Sequence, residues 1–129
     1  PLPMIQAIGS QINQVLLNLL VNAAQAIQSE GREGQGLIRI QTSQEDGWVR
    51  CSIYNDGPPI PENIRHRLFE PFFTTKPVGK GTGLGLSISY EIIVQKHHGE
   101  IFFTSGEGGT EFVLRLPIMQ SDDTVAAIF

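Results

Sequence analysis

Between Gln11 and Gln28 apolar residues recur at helical spacing: Ile12, Val15, Leu16, Leu19, Leu20, Ala23 and Ile27. The spacing predicts a helix over 11–28 with Ser10 as its N-cap. Leu17, Val21, Ala24 and Ala26 spread apolar surface around most of its circumference, as in a buried helix. One row stays polar. Gln14, Asn18, Asn22 and Gln25 stand at i, i+4, i+8 and i+11 and share a face. Spacing alone favours a narrow solvated stripe. Residue choice weighs against it, because such stripes usually carry Lys and Glu, which are better helix formers than Asn. Asparagines on a buried helix need partners.

Downstream the period changes to two. Leu37–Thr42 and Trp48–Asn55 read as strands, with a Glu45-Asp46-Gly47 turn making them a hairpin. On the second strand Val49, Cys51, Ile53 and Asn55 share one face, and Arg50, Ser52 and Tyr54 the other. Asn55 is thus the polar tip of an apolar row, and Asp56 points away. A stiff Asp56–Pro61 turn follows, then a short helix over 62–68 with Pro61 at its first position. A second long helix is expected over 83–97, ending at Gly99. Glu100–Ser105 and Thr110–Leu116 form a second hairpin around Gly106-Glu107-Gly108-Gly109. Residues 1–8 suit an edge strand or a linker end. The expected fold is α+β: a two-layer sandwich of a mixed, mainly antiparallel sheet of about five strands and three helices.

Composition changes this picture little. The 129 residues fit one domain, expected over 1–117, with 118–129 as a tail or linker. The net charge of -4 argues against broad nucleic-acid binding but not against a local anion site. A single cysteine, Cys51, forbids an internal disulfide and suits a reducing compartment. No apolar run is long enough to span a bilayer. The start on Pro1 suggests a piece of a longer protein.

Chemistry concentrates in 69–86, Phe-Glu-Pro-Phe-Phe-Thr-Thr-Lys-Pro-Val-Gly-Lys-Gly-Thr-Gly-Leu-Gly-Leu. Alternating glycines allow close backbone approach to a ligand, and a helix starting after them turns free N–H groups toward an anion. Taken alone, such a run reads equally well as a surface loop. A P-loop is excluded because Gly79-Lys80 is followed by Gly81, and the dinucleotide fingerprint because glycines fall at every second residue.

The ordered combination resembles the catalytic, ATP-binding domain of sensor histidine kinases. Asn18-Leu19-Leu20-Val21-Asn22-Ala23 looks like the N box, and Asn55-Asp56-Gly57-Pro58-Pro59-Ile60-Pro61 like the first glycine box. Phe69–Lys76 looks like the F box, Gly79–Leu86 like the second glycine box, and His98–Ile101 and Gly109–Phe112 match the closing segments. The resemblance implies the Bergerat fold and Mg-ATP as cofactor. It implies transfer of the γ-phosphate to a histidine on an upstream dimerisation domain that this chain lacks. It further implies a response regulator downstream, a homodimeric parent and a monomeric isolated domain. The expected location is cytoplasmic, compatible with a membrane-anchored parent.

The resemblance assigns Mg²⁺ to the Asn22 oxygen, with Asn18 one turn earlier in the same site. Related ATPases carry a water-activating glutamate at the Asn18 position, so an amide there favours kinase over ATPase. It implies Lys76 as the catalytic lysine. It places Gly57, Ile60 and Thr110 at adenine, and Gly81, Thr82, Gly83, Leu84, Gly85 and Leu86 at the phosphates. Two departures stand out. Asn55 replaces the adenine-binding aspartate, which implies weaker purine discrimination and lower affinity. Pro59 replaces a glycine and stiffens the turn. These two positions support an alternative reading, a nucleotide-dependent interaction module with decayed catalysis. The resemblance makes the glycine-rich stretch an ATP lid, and Phe69, Phe72 and Phe73 read as core anchors at its base that also contact the partner helix. His97 and His98 read as helix-terminal residues rather than phospho-acceptors.

Overall fold

The computed structural model describes residues 7–29, 36–71 and 85–118. Helix α1 (Gly9–Ser29) begins earlier than expected. The Ile8 carbonyl accepts from the Gln11 and Ile12 N–H groups, so Ile8 holds the cap position and Ser10 lies inside the first turn. Strands β1 (Ile38–Glu45) and β2 (Trp48–Asn55) form the first hairpin, and β3 (Glu100–Gly106) and β4 (Gly109–Pro117) the second. Asp46 and Gly47 join the first pair, and Gly47 takes the positive φ of 76° that such a turn requires.

The described sheet has four strands in the order β1-β2-β4-β3, all pairs antiparallel. The fifth strand considered for residues 1–8 falls mostly outside the described residues. Register follows the alternation read from sequence. Cys51 lies opposite Leu114, Ile53 opposite Phe112 and Asn55 opposite Thr110. Cys51, Ile53, Phe112 and Leu114 build one core with Val15, Leu19, Ile92 and Ile93 of the helices. Burying each such aliphatic side chain stabilises the fold by about 1.5–3 kcal/mol.

The second helix is α-helical as α2 (Gly85–Tyr90) and continues as a π-helical turn over Glu91–Lys96. The start expected at Gly83 lies outside the described residues. The helix closes where Gly99 N–H donates to the Ile93 carbonyl at 2.7 Å and His98 takes φ 57°. His97 is buried there. Its Nε2 accepts the Ile8 N–H at 3.0 Å, so the ring proton lies on Nδ1, 2.8 Å from the Ile92 carbonyl. Both ring nitrogens are thus used in holding the fold. The short helix after Pro61 is a 3-10 helix over Glu62–Arg67.

The outer sheet face carries a charged lattice. Arg115 pairs with Glu45 and Glu100, and Arg50 with Glu45 and Glu111. The Arg50–Glu111 pair runs diagonally across the row holding Ser52 and Val113. That explains why both are buried on a face that alternation assigns to solvent.

Candidate functional site

A cavity of about 570 Å³ opens between the C-terminal half of α1 and the turn that leaves β2. Asn22, Gln25, Ala26, Gln28 and Ser29 supply the α1 wall. Pro58, Pro59, Ile60 and Pro61, backed by Ile64 and Leu68, supply the opposite wall, with Leu86 of α2 and Phe112 of β4 also lining it. One wall therefore offers amides and the other an apolar slot. Proline rings fix φ along that slot. The Gln25 Oε1 is buried without a hydrogen-bond partner among the described residues, leaving an acceptor unused beside the cavity.

The apolar wall is tied down from behind. Gly57 N–H donates to Asn55 Oδ1 at 2.9 Å, a local turn that fixes the Asn55 amide orientation. Asp56 faces the other way, as its alternation requires. Its Oδ1 accepts the Leu37 N–H at 2.9 Å and its own N–H donates to the Leu37 carbonyl, extending the β1–β2 pairing. Ile60 N–H donates to Ser105 Oγ at 2.8 Å, and Ser105 Oγ lies 2.7 Å from Thr110 Oγ1. Arg65 reaches the Ile60 carbonyl through Nε at 3.0 Å and the Ser105 carbonyl through Nη2 at 3.3 Å.

The amide wall is tied to α2. Asn18 Nδ2 donates to the Gly85 carbonyl at 3.3 Å, and Ser89 Oγ donates to the same oxygen at 2.8 Å. Asn18 thus joins α1 to the first residue of α2. Phe69 sits in an aromatic cluster with Tyr90, Phe103 and Phe112, ring centroids 5.5–6.5 Å away. This anchors the segment after the 3-10 helix to the core. Beneath the sheet, burial pushes the Cys51 thiol pKa up, against a smaller opposing pull from the Arg50 guanidinium.

Of the residues expected at the site, Asn22, Ile60 and Leu86 line the cavity. Asn18, Asn55, Gly57, Gly85 and Thr110 do not line it. Thr110 is joined to the wall residue Ile60 through Ser105, Gly57 immediately precedes the wall and holds Asn55, and Gly85 is held by Asn18. Lys76, Gly81, Thr82, Gly83 and Leu84 lie outside the described residues, as do Phe72 and Phe73. Gln25, Phe112, Ser105 and Arg65 escaped the sequence reading as site residues. Gln25 alone had a signal, its place in the polar row of α1.

A protein-family model, the histidine kinase-, DNA gyrase B-, and HSP90-like ATPase, matches residues 8–120. The catalytic domain of the histidine kinase ThkA superposes with a TM-score of 0.76 at 41% identity, over 88% of this chain and 70% of that one. This chain is a histidine kinase catalytic domain of that ATPase family. Full-length ShkA, solved in complex with AMPPNP, matches with a TM-score of 0.77 at 30% identity, over 97% of this chain and 25% of ShkA. The two-component sensor PprA of Pseudomonas aeruginosa is 40% identical over 114 residues, which are 85% of this chain and 12% of PprA. The chain therefore spans a small part of such sensors. As a histidine kinase catalytic domain it carries no described helix long and apolar enough to cross a membrane.

Proposed function

We propose that this domain binds Mg-ATP in the cavity between α1 and the Pro58–Pro61 turn. There it presents the γ-phosphate to a histidine on a separate helical dimerisation domain of a cytoplasmic or membrane-anchored homodimeric parent. One observation carries the reading: the cavity sets an amide row against an apolar slot. The slot suits a flat purine, and the amides suit the polar end of a nucleotide. The volume falls in the range of small-ligand sites, about 300–1,000 Å³. The AMPPNP complex of ShkA supports a nucleotide as ligand.

The donor set also suits magnesium. Among the described residues no three His, Cys, Asp or Glu side chains converge. A cation here would rest on the Asn22 amide oxygen, phosphate oxygens and water, and Mg²⁺ accepts such a shell. ATP supplies the transferable phosphoryl group; the chain supplies binding and orientation. Gly57, Ile60 and Thr110 hold the base, with Asn55 beside them. In this reading Lys76, Gly81, Thr82, Gly83, Leu84, Gly85 and Leu86 are the residues that bind the phosphates. Asn18 cannot take up a proton at neutral pH, and its Nδ2 is engaged with the Gly85 carbonyl, so water is left without a general base there. The complex of ThkA with the response regulator TrrA supports a response regulator as the downstream partner.

The test is calorimetric titration of the chain with ATP, ADP and GTP, with and without Mg²⁺, followed by mixing with the histidine-bearing domain of its parent. The expected results are magnesium-dependent ATP binding, slow phosphate release by the chain alone and phosphorylation of the added histidine. Fast hydrolysis by the isolated chain, or no ATP binding, would overturn the reading.

A further inference from the structure

We propose that Arg65 is a positioning residue for the nucleotide base, acting through Ile60 and Ser105; this rests on the ATP-site reading above. In the wall Pro58-Pro59-Ile60-Pro61, Ile60 alone has a backbone N–H. That N–H donates to Ser105 Oγ at 2.8 Å, and the carbonyl of the same residue accepts Arg65 Nε at 3.0 Å. Arg65 Nη2 then reaches the Ser105 carbonyl at 3.3 Å. One planar guanidinium therefore closes a ring that joins the wall, the 3-10 helix and the end of β3. Among the described residues its hydrogen bonds go to main-chain carbonyls.

The ring reaches the base through Thr110. Ser105 Oγ has two lone pairs and one proton. One lone pair takes the Ile60 N–H, and the Thr110 hydroxyl lies 2.7 Å away. Either hydroxyl can donate across that contact, so Ser105 couples the Ile60 wall to Thr110, a base-holding residue in the ATP-site reading, whichever way the proton lies. Three prolines make the wall stiff, so its distance from the sheet cannot adjust from within. Arg65 sets that distance from outside. A lysine could hold one of the two carbonyls but not both, because it lacks the fork.

The experiment titrates the chain with ATP and ADP in the wild type, Arg65→Ala, Arg65→Lys, Ser105→Ala and the Arg65→Ala/Ser105→Ala double variant, with a thermal melt of each without ligand. Arg65→Ala should weaken ATP and ADP alike by about tenfold, as expected for losing hydrogen bonds to a charged group. Arg65→Lys should recover only part of this. The double variant should bind no more weakly than the worse single variant, the signature of one shared network. Unchanged affinity in Arg65→Ala, additive losses, or losses that merely follow a falling ligand-free melting temperature would overturn the proposal. A wild-type chain that does not bind ATP overturns the ATP-site reading and this proposal with it. Wild-type binding with an indifferent Arg65→Ala overturns this proposal alone.

Discussion

Replacing Gly57 by alanine tests the packing behind the cavity. Gly57 does not use a positive φ, so what its position requires is space, not backbone freedom. A Cβ there would lie 2.8 Å from Asn55 Oδ1 and 3.2 Å from the backbone carbon and oxygen of Ala26. Ordinary contact begins near 3.4 Å, so the Asn55 oxygen must withdraw by about 0.6 Å. That oxygen is the acceptor for the Gly57 N–H, and withdrawal leaves a buried donor unpaired at a cost of about 1–3 kcal/mol. The Ala26 contact is main chain of α1 and cannot swing aside. Relieving it parts α1 from the turn by a few tenths of an ångström, an overpacking cost of about 1–3 kcal/mol. Gly57→Ala should therefore destabilise the domain by about 2–5 kcal/mol. The melting temperature should fall by about 8–20 °C at roughly 4 °C per kcal/mol. ATP affinity should fall more than tenfold in the fraction that stays folded, because the displaced groups adjoin both walls of the cavity. Scanning calorimetry with and without ATP reads both effects. An alanine variant that melts within about 2 °C of the wild type and binds ATP unchanged would refute the reasoning.

Four further outcomes are expected. Asn55→Asp keeps an acceptor for the Gly57 N–H and replaces the amide donor with a second acceptor. It should raise the ATP-over-GTP preference by about fivefold in a competition titration, and an unchanged ratio would count against a base-reading role. Arg115→Ala removes ion pairs to Glu45 and Glu100 and a guanidinium stacked 4.7 Å from the Trp48 ring centre. It should cost about 1–2 kcal/mol in urea unfolding, less at high salt, and a salt-independent loss would contradict the electrostatic account. The raised Cys51 thiol means that the unfolded chain ionises first as pH climbs past 9.0. Stability should be level below that value and decline above it toward the folded pKa, while Cys51→Ala flattens the decline. His98→Gly relieves a left-handed φ of 57° and should raise stability by about 0.5–1 kcal/mol, read as a higher melting temperature.

Periodicity carried most of the architecture because the strands are half-buried and two short turns fix their register. The alternation through Val49, Cys51, Ile53 and Asn55 is the burial pattern of β2, and it separates Asn55 from Asp56 correctly. The polar row of α1 located the amide wall of the cavity for a similar reason, since helical spacing alone brings Asn18, Asn22 and Gln25 together. Contacts between distant elements were not legible. Arg65 and Ser105 meet across 40 positions and Ile60 and Ser105 across 45, and no local pattern announces either pair. Alternation places Ser52 on the face opposite the apolar row but sees one strand at a time, so its burial there is not legible from it. The ion pair that covers Ser52 joins two strands on a diagonal that only the register reveals. The π-helical turn was invisible because its residues have ordinary helical preferences.

Ile8 is held through both of its backbone groups. Its carbonyl starts α1, and its N–H is gripped by the His97 ring at the end of the second helix. The first described turn of one helix and the last of the other therefore share a single pivot. The far arms of both helices, Asn22 and Leu86, reach the cavity. With the Asn18–Gly85 bond near the cavity end, the two helices are cross-braced at two points, so a displacement at Ile8 is shared by both.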